Sequence, residues 1–433
     1  MRKVSYFILI CIFYFITSPV VTEGAEQLTL EKSVEIALAK NPAIYAAIEG
    51  VKGAQYNKKS AFSGFLPKLS TSYSYTRLNE EESFDLGLVS FTVVDKESYE
   101  FSLTLEQPIY AGRALVNTYK RSKIGVEIAR MREEQARQDI VLQVKEAYFG
   151  ILKAEKIKEV AEQAVKQIES QVRRAKEFYN AEMIPKNDLL QTEVQLAQAK
   201  QDLIKAKNGI DIAKSIFNTI LRRGIGEDVE VEDILKYEPV AWELEESISI
   251  ALKERPELKE LDLNIEEAEK VVDLTKSDYH PNIYVAGSYQ KEGETASVDE
   301  EDGWAIMAVA EWTFWEWGKT AHKVNESKTG LAIVKYAKEQ MKDKVTLEVK
   351  ESYLNIKEAE KNILVAEKAI EQAEENFRIN EERYKEQIAT STEVLDAQTL
   401  LTQTRTNYYN ALNDYNIAKA RLERAIGVGY LKE

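Results

Sequence analysis

The chain has 433 residues, with 58 Lys and Arg against 73 Asp and Glu and a formal net charge of −15. That excess of carboxylates argues against a nucleic-acid partner, which is held through clustered basic side chains. Two histidines and one cysteine leave little material for metal or thiol chemistry.

Residues 1–24 read as a secretory signal peptide. Arg2 and Lys3 precede an apolar run from Val4 to Ile16, and small residues Gly24 and Ala25 stand near the expected cleavage point. The run is shorter than the roughly 20 residues a spanning helix needs, so cleavage is favoured over a retained anchor. Cys11 is expected to leave with it, and no cysteine stands at the cleavage point to carry a lipid. No other stretch is long and apolar enough for a spanning helix, which leaves a soluble periplasmic protein or a membrane protein built from strands.

The remainder of the chain is a duplication. KEAYFGILKAEK at 145–156 and KESYLNIKEAEK at 350–361 share seven of twelve positions. Pro42 pairs with Pro256 and Pro67 with Pro281 at a spacing of 214, whereas Tyr148/Tyr353, Leu190/Leu395 and Ala213/Ala418 are spaced by 205. Nine extra residues therefore lie between about 77 and 98, where an exposed loop tolerates them. The expected organisation is a first repeat over 25–222, an acidic connector over 223–247, a second repeat over 248–427 and a tail at 428–433.

In the first repeat, a helix is expected over about 42–63. Strands come next at 68–76 and 99–107, then a very long helix over 112–181. Ile140, Val144, Ala147, Ile151, Ala154, Ala161, Val165, Ile168, Val172, Ala175 and Tyr179 step by three and four, as in a coiled-coil seam, with Lys158 the one interruption. The chain turns at AEMIPKND and returns over 187–222; the second repeat turns at KEQIATSTE. The long helix spans on the order of 105 Å and its return only about 55 Å, so the helix over 42–63 is expected to stack on the return end to end.

The strands separate a soluble rod from a membrane protein. Tyr99, Phe101, Leu103 and Leu105 fall on one face, and Glu100, Ser102, Thr104 and Glu106 on the other. Strand 68–76 sets Leu69, Thr71, Tyr73 and Tyr75 against serines, strand 304–312 repeats the scheme, and 282–290 supplies a less regular fourth. Four strands leave two open edges, and a sheet with an apolar outer face cannot lie in lipid until other copies close them. Trp304, Trp312, Trp315 and Trp317 fall in one strand and the segment after it, the place for an aromatic girdle. A soluble sheet using the same residues as core is the alternative.

These features together resemble the TolC-like outer membrane efflux protein family, from Leu28 to about Gly427. The resemblance rests on Asn41–Pro42, Leu66–Pro67, the strand-to-helix joint QPIYAGR at 107–113 with its copy WTFWEWGK at 312–319, and the tips NDLLQTEVQLAQAK and TEVLDAQTLLTQ. It implies a mainly α fold: long antiparallel coiled-coil hairpins forming a periplasmic tunnel, plus four strands per chain in a 12-stranded barrel shared by a homotrimer. It further implies an outer membrane duct for efflux or type I secretion, working with a periplasmic adaptor and an inner membrane pump. The rival reading is a soluble periplasmic coiled-coil scaffold or adaptor. Where the family commonly has a glycine in each hairpin turn, this sequence has Glu182 and Gln387, which suggests turns built differently, one set by Pro185; a basic residue of some relatives is here Ala389.

No enzyme is expected. His280 and His322 lie in different elements, no phosphate loop or nucleophile motif is present, and no cofactor is implied. Asp188, Glu393 and Asp396 are candidates for an acidic ring at the tunnel entrance. Their simpler role is helix capping, with Asp188 at the first tip and Thr390 with Glu393 forming a capping box at the second. Tyr384 matches a tyrosine the family uses to hold the entrance closed, with Asp188 the expected partner.

Overall fold

The computed structural model describes residues 27–80, 82–85, 87, 90–94, 96–298 and 301–428. The expected signal peptide with Cys11, and the tail beyond residue 428, lie outside them. In chain order the elements are α1 (Leu30–Lys40), α2 (Pro42–Ser63), β1 (Lys68–Arg77), β2 (Glu82–Asp85), β3 (Ser90–Val94), β4 (Glu97–Ala111), α3 (Ala114–Asn180) and α4 (Lys186–Leu221). After the connector come α5 (Leu244–Glu254), α6 (Pro256–Thr275), a 3-10 turn over Lys276–Tyr279, β5 (Asn282–Gly293), β6 (Glu301–Glu311), α7 (Lys319–Lys385) and α8 (Ser391–Ile426).

Helices α3 and α7 each run for 67 residues and their returns α4 and α8 for 36, so about 45 Å of each long helix extends past its return. Helices α2 and α6 cover that remainder. Asn41 accepts from the Ala43 amide at 2.9 Å, capping α2, and its Nδ2 donates to the Ile220 carbonyl at the end of α4 at 3.2 Å. In the second repeat Arg255 takes the same place, donating from Nη1 to the Ala425 carbonyl at the end of α8 at 3.1 Å. The expected end-to-end stacking is therefore present twice, each time with a proline opening the stacked helix.

The backbone repeats itself in detail. Left-handed φ values occur at Gly112 and Trp317, Arg113 and Gly318, Glu182 and Gln387, and Arg222 and Gly427, each pair 205 residues apart. Gly112 is the one glycine among them with no room for a side chain, since a Cβ would meet the Ser277 carbonyl oxygen at 2.4 Å.

The largest core lies midway along the long helices, where α1 and the connector wrap them. Leu28 pairs with Val231 in a parallel bridge, and the fully buried Tyr148 points its hydroxyl at the Leu28 and Glu232 carbonyls, both 3.0 Å away. Burial pushes that phenol up to about 12. Tyr415 donates to the Glu238 carbonyl at 2.6 Å and Asn416 to that of Lys236 at 3.2 Å. The connector is thus a strap bound to both hairpins, and its Val229, Val231 and Leu235 belong to the same core as Val144 and Leu422.

The sheet runs β1-β4-β5-β6, antiparallel throughout. Its register aligns Thr71, Leu103 and Tyr289 across three strands, and Tyr289 then faces Trp304, so the apolar face expected from the sequence is continuous. Ser72, Ser102 and Gln290 lie on the opposite face, where the Ser72 and Ser102 hydroxyls are 2.7 Å apart. Among the described residues no helix packs along either face, and Leu69, Trp304 and Ile306 are 65%, 76% and 74% exposed. A soluble sheet would have covered them. The extra residues of the first repeat are not an irregular loop: part of them pairs as the hairpin β2–β3, with Phe84 opposite Phe91.

Candidate functional site

Both hairpin tips close in the same way. At the first, Glu182 N bonds to Tyr179 O at 2.9 Å and Met183 N to Phe178 O at 2.9 Å; at the second, Gln387 N bonds to Tyr384 O at 3.0 Å and Ile388 N to Arg383 O at 2.8 Å. This is the Schellman ending of a helix, which favours glycine at the left-handed residue. Glu182 and Gln387 occupy it with φ of 61° and 62°, at a cost of roughly 1 kcal/mol each. The missing glycines therefore do not signal a different turn. Pro185 does set the start of α4, as its N-cap residue.

The tips lie side by side, joined by polar contacts that sequence reading missed. Thr192 and Ser391 meet at 2.9 Å in a buried pair, Gln191 and Thr392 at 3.4 Å, Gln195 and Thr399 at 3.3 Å, and the Gln387 amide reaches the Met183 sulfur at 3.8 Å. Ser and Thr near a helix start read as capping residues, so no sequence signal marks them as a seam.

Glu393 and Asp396 are exposed and Asp188 is half-buried. Thr390 and Glu393 form the expected capping box, with the Glu393 amide 3.3 Å from Thr390 Oγ1 and the Thr390 amide 3.3 Å from Glu393 Oε2. Asp188 does not cap: it sits in the first turn of α4, where its charge suits the positive helix end, and the cap position belongs to Pro185, which has no side-chain acceptor.

Tyr384 is 2% exposed, packed with Phe178, Ala389 and Val394, its ring 5.4 Å from that of Phe178. Its hydroxyl makes no hydrogen bond of ordinary geometry, so the expected bond to Asp188 is not made within the chain. Burial pushes this phenol up; the Ser391 hydroxyl and Arg174 act in the other direction, and the charge of Asp188 adds to the rise.

The four tryptophans do not share one level. Trp304 and Trp312 lie on the apolar side of the same strand line, eight residues and so about 26 Å apart. They are 76% and 57% exposed, and Trp312 donates to the Tyr279 carbonyl at 3.1 Å. Trp315 and Trp317 come beyond the end of β6, 66% and 86% exposed, with rings 5.6 Å apart. His280 meets Tyr110 edge-on at 6.4 Å and His322 lies against Gly318, in separate joints. Among the described residues no group of three or more His, Cys, Asp or Glu is placed to hold a metal ion, and no helix is long and apolar enough to cross a membrane.

The chain matches the family model described as outer membrane efflux protein twice, over residues 34–216 and 247–428. No curated protein matches it. Among solved structures, the CmeC outer membrane channel of Campylobacter jejuni superposes with a TM-score of 0.79 at 17% identity, over 93% of this chain and 86% of that one. The outer membrane protein VceC of Vibrio cholerae gives 0.78 at 16%, over 92% and 96%. The MtrE outer membrane channel of Neisseria gonorrhoeae, in its open state, gives 0.73 at 18%, over 92% and 89%. Matched in both halves by the family model and sharing the channel fold over nearly its whole length, the chain belongs to the outer membrane efflux protein family, whose members are non-enzymatic channels of the outer membrane that reach into the periplasm.

Proposed function

We propose that this protein is the passive outer membrane duct of a tripartite efflux or type I secretion system, working as a homotrimer with a periplasmic adaptor and an inner membrane pump. The observation that carries this reading is the open amphipathic sheet, which continues directly into two helical hairpins about 100 Å long. An open edge in lipid leaves unpaired backbone groups, each costing several kcal/mol, so four strands per chain have to be completed by neighbours. Three copies give 12 strands, a size common among such barrels. The helices call for neighbours too: Val194, Ile204 and Ile212 of α4 and Leu347, Leu354 and Leu364 of α7 are all about half exposed or more and would be covered by adjacent copies. On this reading the coiled-coil scaffold is set aside, because a soluble rod has no use for an uncovered apolar sheet face.

Trp304, near the start of β6, and Trp312, just past its end, would mark the two membrane interfaces, with Trp315 and Trp317 at the periplasmic one. Asp188, Glu393 and Asp396 would bring nine carboxylates to the tunnel entrance, where limited water screens them poorly and cations are drawn in. Tyr384 would hold the tips together by packing.

The double variant Glu393→Gln with Asp396→Asn tests the entrance. Gln preserves the capping box while removing the charge, so the melting temperature should hold while cation preference in single-channel recordings falls several-fold, most clearly at low salt. Unchanged selectivity would remove these carboxylates from the aperture and leave them as helix-end residues.

A further inference from the structure

The internal duplication predicts how one copy of the chain meets the next. Adding 214 to each β1 number and 205 to each β4 number converts the β1–β4 pairing into the β5–β6 pairing: Lys68↔Glu106 becomes Asn282↔Glu311, and Arg77↔Glu97 becomes Lys291↔Asp302. The two hairpins are therefore the same unit in the same register. Inside the chain they are joined by β4–β5, where Glu106 pairs with Ala286, Gln107 with Val285 and, past an irregularity, Ala111 with Asn282.

The same conversion turns that internal seam into a seam between copies, with β4 replaced by β6 and β5 by the β1 of the next copy. We infer that β6 pairs with the neighbouring copy's β1 in the register Glu311↔Ser72, Val309↔Ser74 and Ala308↔Tyr75, and that residues 312–316 then continue β6 along the neighbouring copy's Lys68–Thr71. This rests on the trimeric barrel proposed above and goes beyond it by fixing which residues meet.

Two observations support the register independently. Strand β4 runs to Ala111, and its last residues, 107–111, pair with β5 alone. Their equivalents 312–316 stand outside any strand, since β6 ends at Glu311. They lack a partner because that partner is on another chain. The chemistry also agrees on both faces. Ala308 meets Tyr75 and Trp315 meets Leu69 on the apolar side, Val309 and Glu311 meet serines on the other, and Glu316 comes opposite Lys68 at the periplasmic rim. A one-residue slip would place Glu311 and Val309 against Thr71, Tyr73 or Tyr75 and mix the faces.

Cysteine pairs in the full chain test this, because Cys11 is the only cysteine in the sequence. In a Val309→Cys, Ser74→Cys protein the two positions of one chain lie on opposite edges of the sheet, about 14 Å apart across it and about 26 Å apart along it, because Ser74 is level with Glu301, too far for an internal disulfide. Oxidation of the membrane-inserted protein should link most chains into dimers and trimers on a non-reducing gel. Val309→Cys with Ser70→Cys, displaced by four residues or about 13 Å, should link few. Linkage at Ser70 in place of Ser74 would overturn the register while keeping the trimer. An intact trimer by native mass with no linkage at any β1 position would overturn the seam, whereas a monomer would overturn the trimeric reading beneath it. In a second arm, Glu316→Lys should reduce the yield of trimer and Lys68→Glu should restore it; failure of the second change to rescue would remove that pair from the seam.

Discussion

Arg255→Met is expected to destabilise the helical tunnel by about 1–3 kcal/mol, the cost of leaving part of a half-buried carboxylate and a buried carbonyl without their hydrogen bonds. The Arg255 side chain is 5% exposed. Its guanidinium holds Glu257 through Nε and Nη2 at 2.9 and 3.1 Å, holds Glu348 through Nη1 and Nη2 at 3.1 Å each, and reaches the Ala425 carbonyl. Glu348 is 39% exposed and can turn to water, whereas Glu257 is 16% exposed and would keep only Arg424, at 2.8 Å. The first repeat shows what the position needs mechanically: Asn41 makes the carbonyl contact without any charge. Arg255→Asn should therefore keep the stacking of α6 on α8 and lose the carboxylates, separating the two roles.

Burial pushes the Glu257 carboxyl up, but the hydrogen bond and charge of Arg424, with the charge of Arg255, more than offset this and hold it below the ordinary carboxylate range. A depressed folded-state pKa contributes stability that is present above the unfolded value, about 4.3 for Glu, and lost as pH falls through the folded one. Loss of Arg255 should consequently flatten the acid dependence as well as lower the melting temperature. Circular dichroism melts in detergent at neutral pH and near pH 3 read both effects. A wild-type melting curve for Arg255→Met would show that this network does not hold the middle of the tunnel.

The second large effect belongs to the strands. Leu103 lies on the apolar face between Thr71 and Tyr289, and its neighbour Ser102 lies on the other face between Ser72 and Gln290. Leu103→Arg should cost about 2–4 kcal/mol per chain if it sits near the bilayer midplane, and Ser102→Arg close to nothing in a solvated lumen. In the proposed trimer the penalty is repeated three times in one barrel, so assembled protein in the outer membrane should fall sharply for the first variant and hold for the second. Equal yields would mean that the faces are assigned the wrong way or that the sheet does not meet lipid.

The parts of this fold legible in the sequence are those with a strong period. The strand faces came from alternation, and the long helices from a seam interrupted only at Lys158, with ends at Asn180 and Leu221 against expected ends at 181 and 222. The middle of the tunnel was not legible. Val141, Phe149 and Leu152 are buried although they fall off the seam, because α1 and the connector cover α3 there on further sides. Such wrapping is a tertiary fact with no local period. At the tips, residue type misled in two ways. Glu182 and Gln387 adopt a conformation that glycine favours, because the closing hydrogen bonds outweigh a strain of roughly 1 kcal/mol. Asp188 has the residue type of a cap but stands three residues past the cap position. Tyr384 was legible as a tip residue, and its environment of Phe178 and Val394 was not, since Phe178 reaches it from the other hairpin and Val394 from across the turn.

On the proposed trimer, each chain supplies a third of a closed barrel and has to leave the outer membrane as a complex of three. Native mass spectrometry of the protein extracted in detergent from purified outer membranes reads this directly, and a mass of three mature chains is expected. Recovery of a single chain from the soluble periplasmic fraction, without detergent, would contradict it.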